Sequence, residues 1–163
     1  MPAFYKEPEY LGDFVSEQML DLFAVMDALS FFSEADQSDI YLFGHSMGGL
    51  AAVYAGVLRQ YAIKGMILAE PSFQYAESMT FENGRKLPAD FYPFLAGCSV
   101  PVVIVKGTGD RPDIDDFPHF YDKAIESLPE GELVIIEGAD HLMNGEYGRQ
   151  MAEQAIAVLE ALE

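Results

Sequence analysis

Short apolar runs alternate with longer amphipathic stretches along this chain. Ile40-Tyr41-Leu42-Phe43 is unbroken apolar sequence, too short for a helix and typical of a strand covered on both faces. Ile63 to Ala69, Val100 to Val105 and Leu133 to Ile136 repeat the pattern. Pro101 falls at the start of its run, where a missing N–H is tolerated. Helical periodicity occupies the intervals. Asp13 is placed to cap a helix whose Val15, Met19, Leu22, Phe23, Met26 and Leu29 share one face. A second helix follows Ser46 and is rich in small residues. A third has Pro118 as its first residue and Tyr121, Ala124, Ile125 and Leu128 on one side. A fourth, from about Glu146, would bury Met151, Ala155, Leu159 and Leu162. Strands separated by helices predict βα units: an α/β fold with a parallel sheet of about four strands and flanking helices, in one domain over residues 1–163.

The stretch from Ser72 to Ala96 fits neither period. It holds Phe73, Tyr75, Phe81, Phe91, Tyr92 and Phe94 and is expected to be a short aromatic, cap-like insert. Phe73, Tyr75 and Phe91 are candidates for contact with an apolar ligand there. The alternative is that these rings cover the helix and sheet beneath them.

Composition narrows the partners. The formal charge of −18 repels nucleic acid and anionic lipid, and no basic patch offsets it. No apolar run approaches the ~20 residues of a membrane span, and the first residues lack the pattern of a signal peptide. A lone cysteine, Cys98, excludes an internal disulfide and fits a reducing, cytoplasmic compartment, and its setting is that of a buried thiol.

Candidate chemistry follows the strands. Gly44-His45-Ser46-Met47-Gly48 is a G-x-S-x-G pattern directly after one strand and directly before a helix. Such a turn lifts the Ser46 hydroxyl clear of the sheet, with glycines expected at 44 and 48 to avoid collision. It also aims the Met47 N–H, at a helix N-terminus, at a developing oxyanion. Asp110 ends the loop Lys106-Gly107-Thr108-Gly109-Asp110 after the third strand, and His141 ends Glu137-Gly138-Ala139-Asp140-His141 after the fourth. A parallel sheet places all three at one rim. Histidine titrates near neutrality and is suited to take the Ser46 proton, while an acid fixes its tautomer. His45, inside the turn, cannot line up with the neighbouring hydroxyl and is assigned to packing or substrate-side polarity. His119 is expected at the surface. Asp113, Asp115 and Asp116 match no metal-ligand spacing and are read as solvated acids before a helix.

The stretches DIYLFGHSMGG, PVVIVKGTGD and LVIIEGADH resemble those of monoacylglycerol-lipase-like and cinnamoyl-esterase-like serine hydrolases of the α/β-hydrolase superfamily. The resemblance runs from residue 12 to 162 and corresponds to the C-terminal two-thirds of that fold. It implies hydrolysis of a small carboxylic ester through an acyl-enzyme on Ser46, with Asp110 and His141 completing the triad and no cofactor or metal. Family members begin with further strands and a loop bearing a second oxyanion donor, which residues 1–40 do not supply. The elbow strand is then expected to be an apolar sheet edge, a surface for a second copy or another chain. The chain is thus either a fragment or a natural short form. Three activities stay open: esterase, thioesterase or peptidase work by the same triad, and self-association by an inactive homologue.

Overall fold

The computed structural model describes residues 8–77, 79, 87, 90–109 and 117–162. Within them the chain runs α1 (Pro8–Ala28), β1 (Tyr41–His45), α2 (Met47–Leu58), β2 (Gly65–Ala69), α3 (Phe91–Leu95), β3 (Val102–Gly107), α4 (Phe117–Ser127), β4 (Gly131–Ile136) and α5 (Glu146–Leu162). The four described strands form one sheet in the order β1-β2-β3-β4, every pair parallel. This is the α/β sheet that the alternating pattern predicts.

Two strands run on past the apolar residues that mark them. β1 continues through Gly44 and His45, paired with Leu68 and Ala69, and β3 continues through Lys106 and Gly107, paired with Ile135 and Ile136. A ladder partner supplies these hydrogen bonds whatever the residue's hydropathy, so pairing carries the strands past the last apolar side chain. Helix α1 departs further from expectation. It begins at Pro8, so Asp13 lies inside it rather than capping it. The Asp13 Oδ1 is buried and has no hydrogen-bond partner among the described residues.

Both faces of the central strands β2 and β3 are covered, which explains their lack of polar alternation. Val102 and Ile104 join the core formed with α1, α2 and α4, whereas Val103 and Val105 join a second core with Ala155 and Leu159 of α5. Leu50 of α2 is wholly buried in the first core. Leu50→Ala is therefore expected to lower the unfolding free energy by about 2–5 kcal/mol, measured by urea denaturation. Helix α5 packs on β2, β3 and β4. Beyond its reach, Phe43 of the edge strand β1 stands 58% exposed, as expected of an apolar edge. Among the described residues no helix is long and apolar enough to cross a membrane.

Candidate functional site

Ser46 links β1 to α2 with φ 55° and ψ −121°, a left-handed conformation that a residue with a side chain adopts at a cost of about 1–3 kcal/mol. The surrounding chain maintains it. The Ser46 N–H donates to the Ala69 carbonyl at 3.0 Å, and the Ser46 carbonyl accepts from the Ser72 N–H at 3.0 Å. Crowding decides the glycines. A Cβ at Gly44 would lie 2.4 Å from the Gly48 carbonyl oxygen, and one at Gly49 would lie 2.9 Å from the Pro71 Cβ. At Gly48 a Cβ meets nothing within 4 Å among the described residues. The second glycine required by close packing is thus Gly49, because Pro71, two residues past the end of β2, presses on that position and not on 48. Met47 is the first residue of α2, where N–H groups lack partners within the helix.

The candidate nucleophile meets the candidate base. The Ser46 Oγ and the His141 Nε2 are 3.1 Å apart, although 95 positions separate the residues. The end of β4 passes into a tight loop in which the Met143 N–H donates to the Asp140 carbonyl at 3.1 Å and the Leu142 N–H to the Asp140 Oδ1 at 3.0 Å. His45 braces this loop. Its Nε2–H donates to the His141 carbonyl at 2.6 Å, and the two rings stand 4.9 Å apart. His45 therefore acts on the loop of the base, an anchoring contact invisible in sequence. A second hydroxyl, that of Ser72, lies 3.3 Å from the Ser46 Oγ and is nearly buried.

Asp110 and the acids Asp113, Asp115 and Asp116 lie outside the described residues. The chain just before Asp110 is described: the Gly109 N–H donates to the Ala139 carbonyl at 2.7 Å, and the Gly138 N–H donates to the Thr108 Oγ1 at 2.8 Å. The loops after β3 and β4 are therefore fastened to each other. Another carboxylate reaches the imidazole. Glu70, immediately after β2, places its Oε2 3.8 Å from the His141 Nδ1, with the two side chains 13% and 25% exposed. Its Oε1 accepts from the Gly107 N–H at 2.6 Å and its Oε2 from the Tyr121 hydroxyl at 3.3 Å. Sequence reasoning missed Glu70, although the signal used for Asp110, an acid directly after a buried strand, is present in Ala69-Glu70-Pro71.

The aromatic insert is only partly described, and Phe81 lies outside the described residues. Phe73 and Phe91 are wholly buried, with ring centres 5.0 Å apart and further contacts to Tyr121 and Tyr54. Both belong to the core cluster beneath the insert. Tyr75 is half-buried against that core. The Cys98 thiol is buried and donates to the Val100 carbonyl, and burial pushes its pKa up, away from a reactive thiolate. His119 is exposed on α4. Among the described residues no cluster of three or more His, Cys, Asp or Glu is arranged to hold a metal ion.

Comparison with known proteins agrees with this architecture. The family model Hydrolase_4, described as serine aminopeptidase S33, matches residues 13–97, more than half of the chain. No curated protein sequence matches it. Among solved structures, Est1E from Butyrivibrio proteoclasticus is similar with a TM-score of 0.68 and 21% identity, over 90% of this chain and 70% of that one. The same esterase with ferulic acid bound gives a TM-score of 0.63, with 87% of this chain and 66% of that chain covered. A monoacylglycerol lipase from Paleococcus ferrophilus gives 0.59 at 18% identity, over 91% and 74% of the two chains. The chain thus spans about two thirds of the length of Est1E, and at these identities the likeness is one of fold. With a four-stranded parallel sheet among its described residues and a family model covering more than half its length, the chain belongs to the Hydrolase_4 (serine aminopeptidase S33) family of α/β-hydrolases.

Proposed function

We propose that this hydrolase cleaves small carboxylic esters through an acyl-enzyme on Ser46. The observation that carries the reading is the 3.1 Å approach of the His141 Nε2 to the hydroxyl of a serine held at positive φ. In this mechanism His141 takes the Ser46 proton as the oxygen attacks the ester carbonyl. The Met47 N–H receives the tetrahedral oxyanion, and His141 returns the proton to the departing alcohol. Water then repeats the sequence on the acyl-enzyme. Asp110 is the acid we assign to orient His141, supported by the bond between Gly109 and the loop that carries the histidine. Tyr75 is the residue of the aromatic insert we retain as a substrate contact, and the lone cysteine supports a cytoplasmic setting.

The substrate class rests on the fold neighbours, an esterase solved with ferulic acid and a monoacylglycerol lipase. Aryl and monoacyl esters are the first to test, against amino-acid anilides as peptidase substrates and acyl thioesters. Turnover of methyl ferulate or a monoacylglycerol, together with labelling by a fluorophosphonate probe, supports the esterase. Turnover of anilides or thioesters with esters inert replaces it by the peptidase or thioesterase reading.

The exposed edge favours a second reading, association of two copies through β1. Phe43 is an apolar, 58% exposed residue on a strand paired along one side only among the described residues. On size exclusion the parent is expected to elute as a dimer and Phe43→Lys as a monomer. A parent that stays monomeric at every concentration overturns this reading.

A further inference from the structure

We propose that Glu70 is a positioning residue for His141, its carboxylate serving as the counter-charge on the Nδ1 side of the ring while Nε2 serves Ser46. The inference rests on the hydrolase reading above and adds to it a group that neither the motif nor the family match assigns.

The geometry is directional. One ring edge faces the nucleophile at 3.1 Å and the opposite edge faces the Glu70 Oε2 at 3.8 Å, an ion-pair separation longer than a hydrogen bond. A negative charge there favours the tautomer with hydrogen on Nδ1, which leaves the Nε2 lone pair free for the Ser46 proton. It then stabilises the imidazolium that forms. Three contacts hold the carboxylate in place. The Glu70 backbone sits at φ 47° with its N–H donating to the Val105 carbonyl at 2.8 Å. Its Oε1 takes the Gly107 N–H, and its Oε2 takes the Tyr121 hydroxyl. Burial, and next the Glu70 charge, push the Tyr121 phenol far up, so it stays a donor throughout the working pH range.

A structural role alone does not call for a charge. Gln would accept the Gly107 N–H equally well, whereas a largely buried carboxylate is costly unless a positive charge offsets it. His141, a cation only when protonated, is the ion-pair partner of Glu70 among the described residues. Among the described residues, the titratable groups facing the His141 ring are few. His45 approaches from the end of β1 and Glu70 from the end of β2, while Tyr121 of α4 acts through Glu70. Asp140 lies on the ring's own loop, with its Oδ1 engaged by the Leu142 N–H. Asp110, the acid assigned above, lies outside the described residues.

The test compares the full chain with Glu70→Gln, Glu70→Asp and Asp110→Asn. It follows the His141 ring resonance by NMR against pH and the pH profile of fluorophosphonate labelling. Gln keeps the acceptor and removes the charge, so the imidazolium loses support. Removing the charge 3.8 Å from Nδ1 is expected to move the His141 ring titration, and with it the acidic limb of labelling, to lower pH in Glu70→Gln. The plateau labelling rate is expected to drop roughly tenfold or more. Glu70→Asp, which restores the charge, is expected to recover part of both. A folded Glu70→Gln that titrates and labels like the parent overturns the proposal, as does a shift confined to Asp110→Asn. A parent that fails to label while Glu70→Gln still shifts the ring titration overturns the hydrolase reading and leaves the Glu70–His141 pairing standing.

Discussion

Ser46→Ala is expected to abolish fluorophosphonate labelling and to reduce ester turnover by ~10⁴-fold or more, with the melting temperature unchanged or raised. The loss follows from covalent chemistry. Without the hydroxyl no acyl-enzyme forms, and His141 faces a methyl group instead of a proton donor 3.1 Å away. What remains is the modest acceleration available from binding and the Met47 N–H. The effect on stability has the opposite sign because alanine gives up no buried hydrogen bond of the backbone: both the N–H and the carbonyl of residue 46 keep their partners, Ala69 and Ser72. Turnover that survives in Ser46→Ala, measured alongside a mock purification, would place the chemistry elsewhere.

Gly107→Ala is expected to destabilise the fold by about 1–3 kcal/mol and to cut labelling by roughly 100-fold. A Cβ at this position would stand 2.1 Å from the Ala139 carbonyl oxygen and 2.8 Å from its carbon. Both are backbone atoms, so no side-chain rotation relieves the clash, and the loop two residues before His141 must move. The same N–H also holds the Glu70 Oε1. One methyl group thus disturbs the base and a carboxylate beside it. Gly48→Ala is the control: its Cβ meets nothing within 4 Å among the described residues, and alanine is the better helix former. Urea titration and labelling rates on the two variants check the contrast. Equal stability of Gly107→Ala and the parent would refute the packing account.

Much of the frame was legible because its determinants are local. Four apolar runs separated by helical periodicity specify an α/β sheet, since strands buried on both faces have no polar side to show. G-x-S-x-G between strand and helix marked Ser46, and the loop after the fourth strand marked His141, which the fold brings to the same rim. Errors arose where the deciding contact is distant in sequence. Asp13 reads as a helix cap until α1 is seen to start at Pro8. Gly48 reads as the tight position until Pro71 is found against Gly49. The burial of Phe73 and Phe91 is likewise set by contacts distant in sequence.

By itself, then, the order of apolar and polar residues determined the fold class, the elbow and the histidine that meets it, because each is written in a short stretch of neighbouring residues. The tertiary structure alone decided that Glu70 faces the His141 Nδ1 and that His45 anchors the His141 backbone. It also decided that the segment Ala69 to Ser72 wraps Ser46. Those contacts join chain segments from 23 to 96 positions apart. Their existence depends on strand order and register, which no local pattern encodes.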